Sequence, residues 1–261
     1  MKSIASLLSA AALGAAALLV PGVAHAAAPN YVAMGDSYAS GVGTRTYISS
    51  SGSCQRSTKA YAYLDAARIG ANLNFVACSG AKVADVTANQ LPSVTSSTNI
   101  VSVQVGGNDA GFSSVITTCA EPSWLGDCTS AVAGAQSIIN NTLPGRLNTL
   151  YAAIKSRASS AKVVVVGYPR LFNGIDCNAA TFFSPTEMTH LNATADLLNS
   201  KLAAAASAAG FTFVNPTSAF IGHAVCGSPE WINGLSNPVS ESYHPNVTGQ
   251  ANYANLVQPA L

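Results

Sequence analysis

The chain has 261 residues, a formal net charge of +1 and a charged fraction of only 9%, while 49% of its residues are hydrophobic. This composition gives no basic stripe that would neutralise phosphates, so it argues against nucleic acid as a partner. The length is sufficient for one domain with a sizeable core.

Residues 1–26 have the features of a targeting segment. Lys2 supplies an early positive charge, residues 4–20 are rich in Ala and Leu, and Ala24-His25-Ala26 is a small-x-small cleavage site. The pattern predicts a signal peptide over 1–26, a single domain over 27–261 and a secreted, extracellular protein. A retained membrane anchor is the less favoured alternative because the apolar run is short, and we expect no stable membrane insertion.

The six cysteines follow this segment and include no Cys-x-x-Cys pair. Such usage indicates three disulfides rather than a zinc site. Six cysteines allow fifteen pairings. We favour the sequential one because each bridge then closes a local loop: Cys54–Cys78, Cys119–Cys128 and Cys177–Cys226.

Strands and helices are predicted to alternate along the chain. An apolar run over 31–34 predicts the first strand, which ends at Gly35-Asp36-Ser37. Further strands are predicted at 73–77, 99–105, 162–167 and 211–214. Helices are predicted at 60–69, 83–91, 131–159 in two pieces, 184–209 and 246–257. Residues 111–128 are less regular and are predicted to form a small segment closed by a disulfide. The alternation predicts an α/β protein, a three-layer α/β/α sandwich around a parallel sheet.

Three predicted strand ends carry residues suited to acyl-transfer chemistry. Ser37 follows the first strand, Gly80 the second and Asn108 the third. Parallel strands direct their carboxyl ends to one edge of a sheet, where α/β proteins bind ligands. Ser37 is therefore the candidate nucleophile, and the Ser37 N–H, the Gly80 N–H and the Asn108 amide are the candidate oxyanion hole. Glycine at position 80 would let the backbone approach a substrate without a Cβ.

The base for a serine nucleophile near neutral pH is expected to be a histidine. Beyond residue 26 the chain contains His190, His223 and His244. His190 lies within a predicted helix, and His223 lies in a loop near Cys226, so packing or cleft-lining roles are favoured for both. His244 directly precedes Pro245, which restricts the backbone and presents the imidazole from a fixed turn. His244 is the candidate base.

Four sequence blocks now resemble those of the GDSL/SGNH hydrolase family in order and spacing. They are Gly35-Asp36-Ser37, Gly80, Gly107-Asn108-Asp109 and His244-Pro245. The chain looks most similar to the secreted actinobacterial lipases and phospholipases of that family. The resemblance implies a flavodoxin-like sandwich with a five-stranded parallel sheet, Ser37 as nucleophile, His244 as base, and Ser37, Gly80 and Asn108 as the oxyanion hole.

One position departs from the family pattern, in which aspartate stands three residues before the histidine. Here Glu241 occupies that position. Two arrangements stay open: a triad with Glu241, or a Ser–His dyad in which the backbone carbonyl of Ser242 orients His244, as the resemblance to the most similar relatives implies. We favour the dyad. Asp36 and Asp109 are expected to cap backbone N–H groups in turns rather than to take part in catalysis.

The leading functional prediction is a secreted carboxylic-ester hydrolase that forms an acyl-enzyme on Ser37. The resemblance implies lipid substrates: acylglycerols, phospholipids or other acyl esters. The alternatives are an esterase for acylated carbohydrates or small soluble esters, and a non-catalytic binding module on the same fold. The module is disfavoured because Ser37, Asn108 and His244 are all present. We expect no cofactor, no metal and a monomer. Residues 111–129 and 170–184 are expected to form either a cleft wall or a lid.

Overall fold

The computed structural model describes residues 27–261, so the predicted signal peptide over 1–26 lies outside the described residues. Five strands form one sheet in the order β2-β1-β3-β4-β5, and every neighbouring pair is parallel. Their bounds are Asn30–Gly35 (β1), Asn72–Phe75 (β2), Ile100–Gln104 (β3), Lys162–Val166 (β4) and Thr212–Val214 (β5). The predicted five-stranded parallel sheet is confirmed.

Helices cover both faces of this sheet. Their bounds are Ser37–Ser40 (α1), Tyr61–Ile69 (α2), Val83–Asp85 (α3), Phe112–Ala120 (α4), Cys128–Asn141 (α5), Leu143–Arg157 (α6), Pro185–Ala209 (α7) and Val247–Val257 (α8). Successive β1 side chains point to opposite faces, as strand geometry requires. Tyr31 and Ala33 join one buried cluster with residues of α2 and α8, whereas Val32 and Met34 join another with residues of α5, α6 and α7. The result is the predicted three-layer sandwich.

Helix α7 is the element whose ends the sequence specifies most fully. The hydroxyl of Ser184 accepts the N–H of Glu187, and the Glu187 carboxylate accepts the N–H of Ser184 at 2.8 Å. Pro185 occupies the first turn, and Gly210 ends the helix with φ at +75°. These contacts satisfy backbone groups that a helix terminus otherwise leaves without partners.

Residues 83–91 do not form the single regular helix that the pattern predicts. The α3 turn gives way to a wider turn over Val86–Gln90 and a tight turn over Leu91–Ser93. The Gln90 side chain bonds both polar groups of Gly35, accepting its N–H at 2.7 Å and donating to its carbonyl at 2.9 Å. This pairing fixes the side chain of Gln90 against the end of β1.

Residues 111–128 contain a nine-residue helix, α4, that the sequence reading missed. Four of its members are Ser or Thr, which have weak helix propensity: Ser113, Ser114, Thr117 and Thr118. Its buried positions Ile116 and Cys119 pack into the core, so tertiary contacts offset the weak propensity. The disulfide-closed segment that the sequence predicts here is limited to residues 119–128, from the end of α4 to the start of α5.

Three disulfides are present, Cys54–Cys78, Cys119–Cys128 and Cys177–Cys226, which is the sequential pairing that the sequence favours. Within residues 27–261, every helix is too short or too polar to cross a bilayer.

Candidate active site

Ser37 is the first residue of α1, a single turn that begins directly after β1. Asp36 caps this turn, because its carboxylate accepts the Tyr38 N–H at 2.9 Å, and Gly41 ends it with φ at +90°. A Cβ at Gly35 would lie 2.3 Å from the carbonyl oxygen of Gln104, so only glycine permits this approach to β3. The chain thus turns sharply at the sheet edge and leaves Ser37 there, almost fully buried.

His244 lies beside Ser37, although 207 residues separate them in sequence. Its Nε2 is 2.8 Å from the Ser37 Oγ, and its Nδ1 is 2.8 Å from the carbonyl oxygen of Ser242. A carbonyl can only accept, so the neutral ring carries its proton on Nδ1, and Nε2 accepts from the serine hydroxyl. Tyr243, which lies between Ser242 and His244, has φ at +58°, and its carbonyl accepts the Tyr38 hydroxyl at 2.6 Å.

The environment of His244 keeps its imidazole neutral. Burial lowers the pKa of His244 to about 4, and the opposing effects of the Ser242 carbonyl and the Glu241 charge do not offset it. At neutral pH the Nε2 lone pair is therefore available to take a proton from Ser37.

Glu241 is buried, but its carboxylate is directed to other partners. One oxygen accepts Arg45 Nε at 2.8 Å and the other accepts the Tyr47 hydroxyl at 2.8 Å. Among the described residues no hydrogen bond joins this carboxylate to His244. The Glu241 carboxylate thus contacts Arg45 and Tyr47 rather than the imidazole, whose Nδ1 lies against the Ser242 carbonyl.

The two remaining oxyanion candidates lie on loops at the same sheet edge. The Asn108 amide donates one hydrogen to the carbonyl of Ala81 at 3.1 Å, which fixes the side chain and leaves its second hydrogen for a ligand. Gly80 has φ at +80°, and an added Cβ would meet no protein atom within 4 Å. In the free protein the positive φ, rather than crowding, is what requires glycine at position 80.

Asp36 and Asp109 hold turns together, as the sequence suggests. Asp109 accepts the Val83 N–H at 2.8 Å and the Arg146 guanidinium at 2.8 Å. It therefore ties the loop after β3 to the start of α3, next to Gly80. The second oxygen of Asp36 accepts the Tyr168 hydroxyl.

Two contributors escaped the sequence reading. Gln90 clamps the peptide of Gly35 just before the nucleophile turn, and Tyr168 anchors the capping Asp36. Tyr168 had a usable signal, since it follows the end of β4 at the edge where the other site residues lie. The sequence contains no comparable signal for Gln90, because no local pattern relates it to Gly35.

An apolar cleft opens beside Ser37 and Asn108. Helices α4, α5 and α7 supply its walls, through Phe112, Val115, Ile116, Ala135, Ile139, Leu191 and Leu198. Of the two segments left open as wall or lid, 111–129 contributes the α4 wall and 170–184 contributes Leu171. The apolar lining favours a nonpolar group of a ligand, with Ser37 and Asn108 as polar groups of the same cleft.

The other two histidines lie away from this pair. His223 packs flat on Trp231, with ring centroids 3.8 Å apart, and its Nδ1 is 2.8 Å from the carbonyl of Pro229. His190 is exposed on α7. Over residues 27–261 no group of three or more His, Cys, Asp or Glu side chains is arranged to hold a metal ion.

A serine hydroxyl bonded to a neutral histidine at the edge of a parallel α/β sheet, beside an apolar cleft, defines a serine-hydrolase type of site. Residues 33–251 match the family model of the GDSL-like Lipase/Acylhydrolase family. The chain belongs to this family.

Its relatives are similar over nearly their whole lengths. Lipase 1 of Streptomyces coelicolor is 46% identical over 229 residues, covering 87% of this chain and 84% of that protein. A lipase of Streptomyces rimosus is 45% identical over 227 residues, covering 86% and 83%.

Two solved structures superimpose closely. The extracellular lipase of Streptomyces rimosus has a TM-score of 0.84 at 44% identity, covering 90% of this chain and 100% of that one. Phospholipase A1 of Streptomyces albidoflavus has a TM-score of 0.84 at 40% identity with the same coverage.

Proposed function

We propose that the protein is a secreted carboxylic-ester hydrolase of lipids that acts through an acyl-enzyme on Ser37, with His244 as its general base. The observation that carries this proposal is the 2.8 Å contact between Ser37 Oγ and His244 Nε2 at the mouth of an apolar cleft. Membership of a lipase and acylhydrolase family agrees with it.

In the first half-reaction, Nε2 of His244 takes the proton of Ser37 as Oγ attacks the ester carbonyl carbon. The carbonyl oxygen becomes an oxyanion, which the backbone N–H groups of Ser37 and Gly80 and the free amide hydrogen of Asn108 stabilise. The intermediate collapses with loss of the alcohol, which leaves with the proton that His244 returns to it. The acyl group stays on Ser37.

In the second half-reaction, His244 takes a proton from water, and the resulting nucleophile attacks the acyl carbonyl. The free acid departs as His244 returns the proton to Ser37 Oγ. Throughout, the Ser242 carbonyl holds Nδ1 and so maintains the tautomer that leaves Nε2 facing Ser37. It supplies orientation without a full negative charge.

The substrate class follows from the cleft. Its walls are almost entirely aliphatic and aromatic, whereas a sugar would need polar partners for its hydroxyls. Similar proteins are described as lipases and a phospholipase A1. We therefore favour long-chain acyl esters over acylated carbohydrates or small soluble esters.

Residues 1–26 are proposed to be a signal peptide whose removal leaves a single extracellular domain over 27–261. The three disulfides and the relative described as an extracellular lipase support secretion. A monomer is proposed because one chain supplies the nucleophile, the base and the cleft walls.

The decisive experiment is intact-mass analysis after incubation with a long-chain alkyl phosphonate ester. Wild type is expected to gain one adduct, mapped to Ser37, that is absent in Ser37→Ala and strongly slowed in His244→Ala. A folded wild type that gains no adduct would refute nucleophilic activation of Ser37 and favour the binding-module alternative.

A second experiment separates the substrate classes. Hydrolysis of p-nitrophenyl esters of increasing chain length is compared with release of acetate from acetylated xylan. We expect kcat/KM to rise with chain length as more methylenes enter the cleft. A preference for acetyl groups on xylan would replace the lipid proposal with the carbohydrate one.

A further inference from the structure

The loop over residues 121–127, between α4 and α5, presents two large apolar side chains to solvent. Trp124 is 80% exposed and its neighbour Leu125 is 70% exposed. Single exposed apolar residues are ordinary on protein surfaces, but an adjacent Trp and Leu this exposed form a patch that gains free energy on burial. Tryptophan is also the side chain best suited to the boundary between water and hydrocarbon.

The exposure belongs to a loop whose shape is fixed. The Cys119–Cys128 disulfide closes its base. The N–H groups of Leu125 and Gly126 both bond the carbonyl of Pro122, at 2.8 and 3.2 Å. A Cβ on Gly126 would lie 2.3 Å from the carbonyl oxygen of Thr118, so the loop packs closely on the end of α4. The apolar tip is therefore held outward by the fold.

Helix α4 connects this loop to the cleft beside Ser37. Helix α4 lines the cleft with Phe112, Val115 and Ile116, and the loop begins where α4 ends. The N–H of Phe182 bonds the carbonyl of Ala120 at 3.1 Å, which brings a third exposed apolar residue to the same end of the helix.

The charges of the loop indicate which surface it fits. Residues 119–128 contain Glu121 and Asp127 and no lysine or arginine. Negative groups beside an apolar tip oppose docking on an anionic surface and permit docking on a neutral or zwitterionic one.

We propose that the 121–127 loop docks the protein reversibly on a zwitterionic lipid surface, with Trp124 and Leu125 entering the headgroup boundary. Because α4 connects this loop to the cleft wall, docking there brings the cleft close to the aggregate that supplies the acyl ester. The inference rests on the proposed function in taking lipid as the partner, but it is tested by binding, which needs no hydrolysis.

Trp124 supplies its own reporter because the chain has only two tryptophans, and Trp231 is packed against His223. The Ser37→Ala protein is titrated with phosphatidylcholine vesicles while tryptophan emission is recorded. We expect a blue shift that persists in Trp231→Phe and disappears in Trp124→Phe. Absence of a shift, or its persistence in Trp124→Phe, would overturn the proposal.

Cosedimentation with the same vesicles tests Leu125 against a matched residue. Leu125→Ser is expected to weaken the vesicle partition coefficient roughly tenfold, the effect of losing one buried leucine side chain. Ile221→Ser, which alters an equally exposed residue at 68%, is expected to bind as the parent does. Equal effects of the two changes would contradict the assignment, as would tighter binding to phosphatidylglycerol vesicles.

Kinetic measurements on proteins that retain Ser37 distinguish an effect on docking from an effect on ester hydrolysis. Leu125→Ser should hydrolyse a dissolved short-chain ester at the wild-type rate and lose about tenfold in rate at limiting phosphatidylcholine vesicle concentration. Loss of both activities would contradict a docking role. A wild type that binds vesicles but hydrolyses no ester would refute the proposed function and leave the docking inference standing.

Discussion

Aromatic side chains surround the imidazole of His244, the proposed general base. Its ring lies 5.1 Å from the Tyr38 ring and 6.0 Å from the Phe112 ring, measured between centroids, and it is nearly excluded from water. Such surroundings disfavour the imidazolium, which is why the pKa of His244 is lowered to about 4 from the usual 6.5. The same surroundings let the developing imidazolium and oxyanion attract each other strongly.

The pH dependence of kcat/KM should therefore show an acid limb near pH 4 rather than near pH 6.5. Below the pKa of His244 the ring is protonated and cannot accept the Ser37 proton; above it, activity is retained. The measurement is kcat/KM for a soluble p-nitrophenyl ester from about pH 3 to about pH 8, with released nitrophenol quantified by chromatography. Far-UV CD at each pH controls for unfolding. An acid limb at pH 6.5 in folded protein would contradict the buried, neutral imidazole.

Glu241 offers a residue-scale test of dyad against triad. Its two carboxylate oxygens accept from Arg45 and Tyr47, so Glu241→Gln removes the charge, keeps one acceptor oxygen and replaces the other with an NH₂ donor. We expect kcat/KM to fall less than about tenfold, whereas loss of a true triad carboxylate costs about 10⁴ in kcat. His244→Ala, measured in parallel with the same ester, sets the scale. A Glu241→Gln loss as large as that of His244→Ala would restore the triad.

A substitution at Gly80 tests whether glycine is needed there only for its backbone conformation or also because its N–H takes part in catalysis. Gly80→Ala places a Cβ on a backbone with φ at +80°, which costs about 1–2 kcal/mol or displaces the peptide whose N–H is proposed to bind the oxyanion. Gly70 is a matched control, because it has φ at +65° and also has open space around its Cβ position. Both variants should unfold at lower urea concentration, but only Gly80→Ala should lose kcat. Equal kcat values would argue against Gly80 as a donor.

At the scale of elements, the loop after β2 carries this donor and is anchored at two points. Cys78 is bridged to Cys54, and the Ser79 N–H bonds the Cys54 carbonyl at 3.1 Å. Preorganised donors are what make an oxyanion hole effective, because they need no reorientation during reaction. If the Gly80 N–H binds the oxyanion as proposed, this loop acts in catalysis through its backbone alone.

Removing the Cys54–Cys78 bridge should lower activity before the fold is lost. The Cys54→Ala/Cys78→Ala protein is compared with Cys119→Ala/Cys128→Ala, whose bridge lies in the 119–128 segment and not beside Gly80. Hydrolysis of a soluble ester should fall several-fold in the first and stay near wild type in the second, with far-UV CD unchanged in both. In wild type, a reductant series should reduce activity ahead of the CD signal. Simultaneous loss of activity and of the CD signal in that series would contradict the prediction.

The elements that the sequence predicts best are those with local signals. β4 is a run of four valines, and α7 carries its own capping box, so both were located without knowledge of the fold. Ser37 and His244 are candidates from the sequence because each adjoins a turn with a distinct local pattern, and the structure brings their side chains within 2.8 Å of each other. Helix α4 was missed because its weak helix formers are stabilised by packing that sequence periodicity does not show.

Contacts between distant segments account for the rest. Gln90 reaches Gly35 across 55 residues, and Tyr168 reaches Asp36 across 132. Neither partner changes the local pattern of the other, so only the folded arrangement reveals them. The choice between Glu241 and Ser242 was open for the same reason, since Arg45 and Tyr47 lie far away in sequence.

At the scale of the whole molecule, the site depends on joining the two ends of the described chain. Ser37 lies just after β1, and His244 just before α8, and several hydrogen bonds join these regions. Gln250 on α8 contributes to this junction: it is fully buried, donates to the Tyr38 carbonyl at 2.8 Å and accepts the Tyr61 N–H at 2.9 Å. It therefore links the nucleophile turn, α2 and the helix that follows His244.

Replacing Gln250 with leucine should damage stability and catalysis together. The change leaves two buried backbone groups without their side-chain partner, at about 1–3 kcal/mol each, so the free energy of unfolding should fall by about 2–6 kcal/mol. The looser junction should also lower kcat per folded molecule, because the Ser37–His244 contact spans it. Urea unfolding and active-site titration with the phosphonate measure the two effects.

Gln258→Leu, at an exposed position near the end of the chain, is the control. If Gln250→Leu loses stability but keeps wild-type kcat, the two halves of the site are held in register by other contacts, such as the bond from the Tyr38 hydroxyl to the Tyr243 carbonyl.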